Sequence, residues 1–335
     1  FENLVIYFII MNKRTILILI SSLLFSAIAN SQELFKDKIY SDVKKSTETY
    51  YRKSSESLKM DIFSPKTDTL DKKPVLLYVH GGGFAMGSRD QELHQQFCRH
   101  YAHKGYTAVS IDYTLQRKGK SFGCDCPADE KVDTFLETAR DISRAVRYLT
   151  ENYTKLGIDT NRIVLAGSSA GAEAALHAVY WHETRSDDST RILPEAFEYG
   201  GVISMAGALT ELRWVDHKTA IPTQLFHGSC DRLVPYSTAS HHYCEADTPG
   251  YLTLYGPAAI MNKLKTMGKG YYSITGCYGR HEWNMLPLTD YRENITDFLY
   301  YDVLQDKKRQ IHYVVETGKE PCPSLNRFPF CEDFK

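Results

Sequence analysis

Short apolar runs recur along this chain, each closed by glycine or a polar turn. They read PVLLYVH (residues 74–80), YTAVSIDY (106–113), RIVLAGS (162–168), GGVISMAG (200–207), PTQLFHG (222–228) and YYSITGCYG (271–279). Continuous apolar runs of this length fit strands buried on both faces, as in parallel sheets. An earlier alternating stretch, LKMDIFSP, reads as an edge strand. Helical patterns lie between the runs. In the segment before RIVLAGS, Phe135, Ala139, Ile142, Val146 and Leu149 mark one face at helical spacing; Leu93, Phe97 and Tyr101 do so before YTAVSIDY. Strand and helix alternate, which predicts an α/β fold with a mostly parallel central sheet and helices on both faces. Residues 58–310 are expected to form one domain, preceded by a polar segment (30–57) and followed by a C-terminal tail (311–335) that is irregular from residue 316. Two polar insertions, 114–130 and 183–197, are placed to rim a pocket.

The ends of these runs carry the candidate chemistry. Gly167-Ser168-Ser169-Ala170-Gly171 is a G-x-S-x-G turn between a strand and a helix. Such a turn holds the hydroxyl of its central residue clear of the backbone. Ser168, its neighbour, cannot occupy that exposed position. Serine is a weak nucleophile at neutral pH and needs a base within hydrogen-bond reach. After PVLLYV comes His80-Gly81-Gly82-Gly83-Phe84, whose glycines let N–H groups approach a ligand. Asp231 follows PTQLFHG, and His281 follows YYSITGCYG. The order Ser169, Asp231, His281 is that of a Ser…Asp…His hydrolase. The competing residues have blander readings: His227 inside the sheet, His241 and His242 toward solvent, Asp112 in packing and loop hydrogen bonds.

HGGGF, GSSAG, HGSCDRLVP and GRHEWN together resemble the α/β-hydrolase esterase/lipase superfamily, in its hormone-sensitive-lipase-like and ferulic-acid-esterase-like bacterial branches. The resemblance covers roughly residues 58–304. It implies Ser169 as nucleophile, His281 as base and Asp231 as the group that orients it. It also implies an oxyanion hole from the backbone of Gly82, Gly83 and Ala170, with Gly81 and His80 supporting the loop, and a chemistry that calls for no metal or organic cofactor. One departure is the lack of a long N-terminal helical cap, which suggests a small cap or none and an open site. The implied activity is hydrolysis of a small-molecule or polysaccharide ester, with acetyl or feruloyl groups on polysaccharide as candidates. The rival activities are a serine exopeptidase of the prolyl-oligopeptidase type and a silent binding protein on the same fold.

The remaining sequence features bear on location and covalent structure. Met11-Asn12-Lys13-Arg14 opens a charged region, followed by an apolar run and a small-x-small end at Ala27-Ile28-Ala29. This is the pattern of a secretory signal cut after Ala29, giving a secreted or periplasmic protein with no stable membrane insertion. Residues 1–10 precede Met11 and are set aside from the fold. Eight cysteines in an exported chain point to disulfides. Cys124 and Cys126 are poorly placed to pair with each other. Cys322 and Cys331 are positioned to staple the tail. Cys230 adjoins the acid and Cys277 precedes the base, so a Cys230–Cys277 bridge is expected to tie those loops. In 335 residues, 43% are hydrophobic and 24% charged, with a formal net charge of −1. That balance is globular and gives no basic surface for nucleic acid. It leaves the oligomeric state open.

Overall fold

The computed structural model describes residues 32–53, 56–67, 70–181, 192–318, 322 and 328–332. The expected signal segment and most of the 183–197 insertion lie outside them.

Among the described residues, nine strands form one sheet in the order β1-β2-β4-β3-β5-β6-β7-β10-β11. These are β1 (Val43–Arg52), β2 (Ser57–Pro65), β3 (Lys73–Val79), β4 (Thr107–Ile111), β5 (Ile158–Ser168), β6 (Gly201–Met205), β7 (Thr223–Gly228), β10 (Tyr271–Cys277) and β11 (Gln310–Glu316). Two three-residue strands, β8 (Thr238–Ser240) and β9 (Thr253–Tyr255), pair separately. Only β2 runs against the rest of the large sheet. The five principal helices are α1 (Glu92–His103), α2 (Ala128–Glu151), α3 (Ala170–Tyr180), α4 (Pro257–Thr266) and α5 (Arg292–Phe298).

The central strands are apolar throughout because both faces are covered. Val75, Leu77 and Val79 of β3 join a core with Phe135 and Ile142 of α2, Ala174 of α3 and Ile260 of α4. Leu76 and Tyr78, the alternate residues, join a second core with Phe97 and Tyr101 of α1 and Phe298 of α5. The predicted stripe on α2 is buried along its whole length, Phe135 through Leu149. Truncating one such aromatic, Phe135→Ala, would cost about 3–5 kcal/mol.

The sheet extends beyond residues 58–310 at both ends. LKMDIFSP is not an edge: β1, from the polar segment, pairs antiparallel with it. The first residues of the tail join the sheet rather than lying beyond the domain: β11 pairs in parallel with β10 from Tyr271↔Gln310 to Cys277↔Glu316. β1 is mostly polar, which hides it from a search for apolar runs, while β11 is only partly buried although it carries Ile311, Tyr313, Val314 and Val315. No long helical cap precedes the sheet among the described residues, since 43–65 form a hairpin.

The register brings the carboxyl ends of the strands level. Val79 pairs with Gly167, Ser168 with Met205, Met205 with Phe226, and Gly228 with Gly276. The loops after β3, β5, β7 and β10 therefore meet at one end of the sheet, where open α/β sheets bind ligands.

Candidate active site

Ser169 stands at the turn between β5 and α3 with φ 51° and ψ −122°. A positive φ is uncommon for a residue with a Cβ, and such strain persists only when the surroundings enforce it. They do so here. The Ser169 N–H donates to the Met205 carbonyl at 2.8 Å. The helix start packs so closely on β3 that a Cβ on Gly171 would lie 2.2 Å from the Val79 carbonyl oxygen. One on Gly167 would lie 2.2 Å from that of Gly171. Ser168 is fully buried on the other side and accepts a hydrogen bond from the Tyr78 hydroxyl at 3.0 Å.

The Ser169 hydroxyl meets His281 Nε2 at 2.8 Å, and His281 Nδ1 meets Asp231 Oδ2 at 2.7 Å. A carboxylate only accepts, so Nδ1 carries the hydrogen and Nε2 is free to accept from the serine. Asp231 is 1% exposed. Its Oδ1 accepts the N–H groups of Leu233 at 2.8 Å and Val234 at 3.1 Å. Burial pushes its carboxyl upward, but hydrogen bonds from His227 and His281 win and hold it well below the usual carboxylate range.

His227 is a neighbour of the candidate site that its sequence context did not single out. It is buried in the sheet as expected, but its Nε2 lies 3.2 Å from Asp231 Oδ2 and 3.0 Å from the Val234 carbonyl. It is a second imidazole on the same carboxylate. Its place at the end of β7, four residues before Asp231, was the available signal.

The glycine loop after β3 lies beside Ser169. Gly82 has φ 114°, and a Cβ there would fall 2.1 Å from the Met86 carbonyl oxygen, so only glycine fits. The N–H groups of Gly82, Gly83 and Ala170 donate to no backbone carbonyl among the described residues, and all three residues line the cavity beside Ser169. His80 is buried, stacks on Tyr113 with ring centroids 4.3 Å apart, and bonds the Gly81 carbonyl through Nδ1 at 2.7 Å. The far end of the loop is anchored by Arg89, which donates to Asp112 at 2.6 Å and Asp61 at 3.2 Å. Asp112 thus has the loop-bonding role read from the sequence.

The acid and base loops are joined by main-chain contacts. Ser229 N–H donates to the Gly276 carbonyl at 2.9 Å and Cys230 N–H to the Gly279 carbonyl at 2.8 Å. The expected Cys230–Cys277 bridge is absent. Cys230 pairs with Cys322 and Cys277 with Cys331. The backbone already holds the two loops together, and the tail crosses them within bonding reach of both cysteines. Tyr278 fixes that crossing by donating its hydroxyl hydrogen to the Cys331 carbonyl at 2.8 Å. The third bridge joins Cys124 to Cys244, while Cys98 and Cys126 are free and buried.

The cavity beside Ser169 holds about 320 Å³. Phe122, from the 114–130 insertion, forms part of its wall, as do Leu233, His241 and His242. His241 does not face solvent: it is 1% exposed and packs edge-on against Phe122 at 5.2 Å. His242 is half-buried. A second cavity of about 380 Å³ lies at the amino ends of β7 and β10, the opposite end of the sheet, and has no nucleophile–base pair on its wall. Among the described residues no cluster of His, Cys, Asp and Glu is arranged to hold a metal, and no helix is long and apolar enough to cross a membrane.

Comparison with known proteins fits this geometry. Residues 60–209 match the BD-FAE family model. Gut esterase 1 of Caenorhabditis elegans is 30% identical over 144 residues, 43% of this chain and 24% of the relative. Esterase B1 of Culex pipiens is 30% identical over 162 residues, 48% of this chain and 28% of the relative. The chain thus spans about a quarter of the length of these curated relatives. A thermophilic esterase from Thermogutta terrifontis, solved with propionate bound, superposes with a TM-score of 0.55 at 17% identity, over 78% of this chain and 94% of that one. The strand order, the strained turn at Ser169 and these likenesses agree on the architecture: the chain has the α/β-hydrolase fold and is similar to esterases over part of its length.

Proposed function

We propose that this protein is a serine esterase that hydrolyses carboxylic esters through an acyl-enzyme. The observation that carries the reading is the unbroken relay from Ser169 Oγ to His281 Nε2 at 2.8 Å and from His281 Nδ1 to Asp231 Oδ2 at 2.7 Å. In this reading His281 takes the Ser169 proton as Oγ attacks the ester carbonyl. Asp231 fixes the imidazole tautomer and stabilises the imidazolium, and His227 steadies Asp231. The N–H groups of Gly82, Gly83 and Ala170 hold the developing oxyanion. His281 then protonates the departing alcohol, and water repeats the attack on the acyl-enzyme with His281 again as base.

The similarity of residues 60–209 to BD-FAE fits an ester substrate, with acetyl and feruloyl esters of polysaccharide as the candidates. Three disulfides suit an oxidising compartment and so support export of the chain. A panel of acetyl, butyryl, octanoyl and feruloyl esters tests the reading. Wild type is expected to cleave at least one member and Ser169→Ala none. Equal hydrolysis by both proteins would refute it.

A further inference from the structure

Glu173 lies one helical turn beyond Ser169 on α3. It is 2% exposed yet lines the same cavity. Its Oε1 has no hydrogen-bond partner among the described residues, and neither has Nδ1 of His241. The two side chains face each other, with His241 Nε2 3.5 Å from Glu173 Oε1, and do not hydrogen-bond.

Burial disfavours the charged form of both groups. Burial, reinforced by the negative charge of Asp231, pushes the Glu173 carboxyl far above its usual range, against a weaker pull from Lys131. Burial also pushes the His241 imidazole well down, with His242 and Lys131 adding to the effect. Lys131 does not complete an ion pair: its Nζ donates to the Gly250 carbonyl at 2.8 Å. A neutral carboxyl and a neutral imidazole each offer one donor and one acceptor. Much of the surrounding wall is apolar, from Ala170, Phe122, Leu233 and Val234. Glu173 Oε1 and His241 Nδ1 lie just beneath this wall with almost no accessible surface, and unpaired polar atoms there cost free energy until a small side-chain rotation brings them to a partner. A substrate hydroxyl, itself donor and acceptor, is such a partner. A charged group is not, because it would be buried without a counter-charge.

We propose that Glu173 and His241 form a recognition site for an uncharged hydroxyl on the substrate, making this cavity selective for hydroxyl-bearing over plain alkyl esters. The proposal rests on the esterase reading. A site built to bond a hydroxyl rejects the analogue lacking it, because its own polar groups are then left unpaired.

The test uses the full chain and two matched ester pairs followed by pH-stat. Ethyl 3-hydroxybutyrate against ethyl butyrate probes the acyl side. 3-Hydroxypropyl acetate against propyl acetate probes the alcohol side. Wild type is expected to favour the hydroxyl member of one pair by roughly tenfold or more in kcat/KM, and the pair that responds identifies the side. Glu173→Gln, which keeps a neutral donor and acceptor, is expected to retain the preference. Glu173→Met is expected to bring the ratio close to one. A ratio near one for both pairs in an active wild type overturns the proposal, as does a preference that survives in Glu173→Met. The wild-type ratios decide the matter even if the Met variant fails to fold. A wild type that cleaves no ester of any kind overturns the esterase reading and this proposal with it.

Discussion

Asp231→Asn replaces one carboxylate oxygen with an NH₂ group and is expected to remove nearly all activity. The carboxylate is surrounded by donors. Oδ1 accepts from Leu233 and Val234 N–H at 2.8 and 3.1 Å, and Oδ2 faces His281 Nδ1 at 2.7 Å and His227 Nε2 at 3.2 Å. An asparagine satisfies the two backbone donors only by turning its NH₂ toward the imidazoles. His281 Nδ1 must then accept, its hydrogen moves to Nε2, and the ring points a donor at Ser169. The base is lost although the geometry is kept. For a triad this tautomer error costs about four orders of magnitude, or roughly 5 kcal/mol at 1.36 kcal/mol per tenfold. The assay is kcat/KM with p-nitrophenyl acetate, with circular dichroism and thermal melting showing that the variant is folded. A folded variant that loses less than tenfold would refute the argument that Asp231 sets the tautomer.

Three further outcomes follow from the packing. Gly171→Ala would place a methyl 2.2 Å from the Val79 carbonyl oxygen and 2.5 Å from that of His80. It is expected to lower the melting temperature and to cut kcat, both measured on the purified variant; unchanged melting would contradict the contact. Replacing Cys322 and Cys331 by serine frees the tail from the acid and base loops, closures of 92 and 54 residues. Each lost bridge is expected to cost about 2–4 kcal/mol in denaturant unfolding. His177 is fully buried, donates through Nδ1 to the Glu173 carbonyl at 2.7 Å and accepts at Nε2 from Thr210 Oγ1 at 3.0 Å. Burial pushes its pKa down to about 4 from 6.5. The unfolded chain therefore binds more protons between these values, and stability falls as pH drops from 6.5 toward 4. The full loss is roughly 3 kcal/mol, at about 1.36 kcal/mol for each tenfold weakening of proton binding. His177→Gln should flatten that slope in urea melts at pH 4.5 and 7; an unaltered slope would show that His177 does not contribute.

Much of the site was legible because each part is a local event at a strand end. The turn at Ser169, the glycines after β3, Asp231 after β7 and His281 after β10 each carry their own short signature. The register then brings them level. The edges were harder to see. β1 buries only Tyr50 and reads as a polar run, while the apolar residues of β11 fall past the last strand-and-helix alternation and are none of them fully buried. Disulfide partners are non-local, and adjacency to the acid and base pointed to the wrong pairing. His241 looked solvent-facing because its neighbours in sequence are polar. It is enclosed by Phe122, which belongs to the segment that the Cys124–Cys244 bridge ties down across 120 residues.

The most direct test of the central claim is labelling of the intact folded protein with a fluorophosphonate, followed by peptide mass mapping. The account predicts a single adduct on Ser169, absent in Ser169→Ala and strongly slowed in His281→Ala. No adduct on folded protein, or an adduct on a different serine, would contradict it.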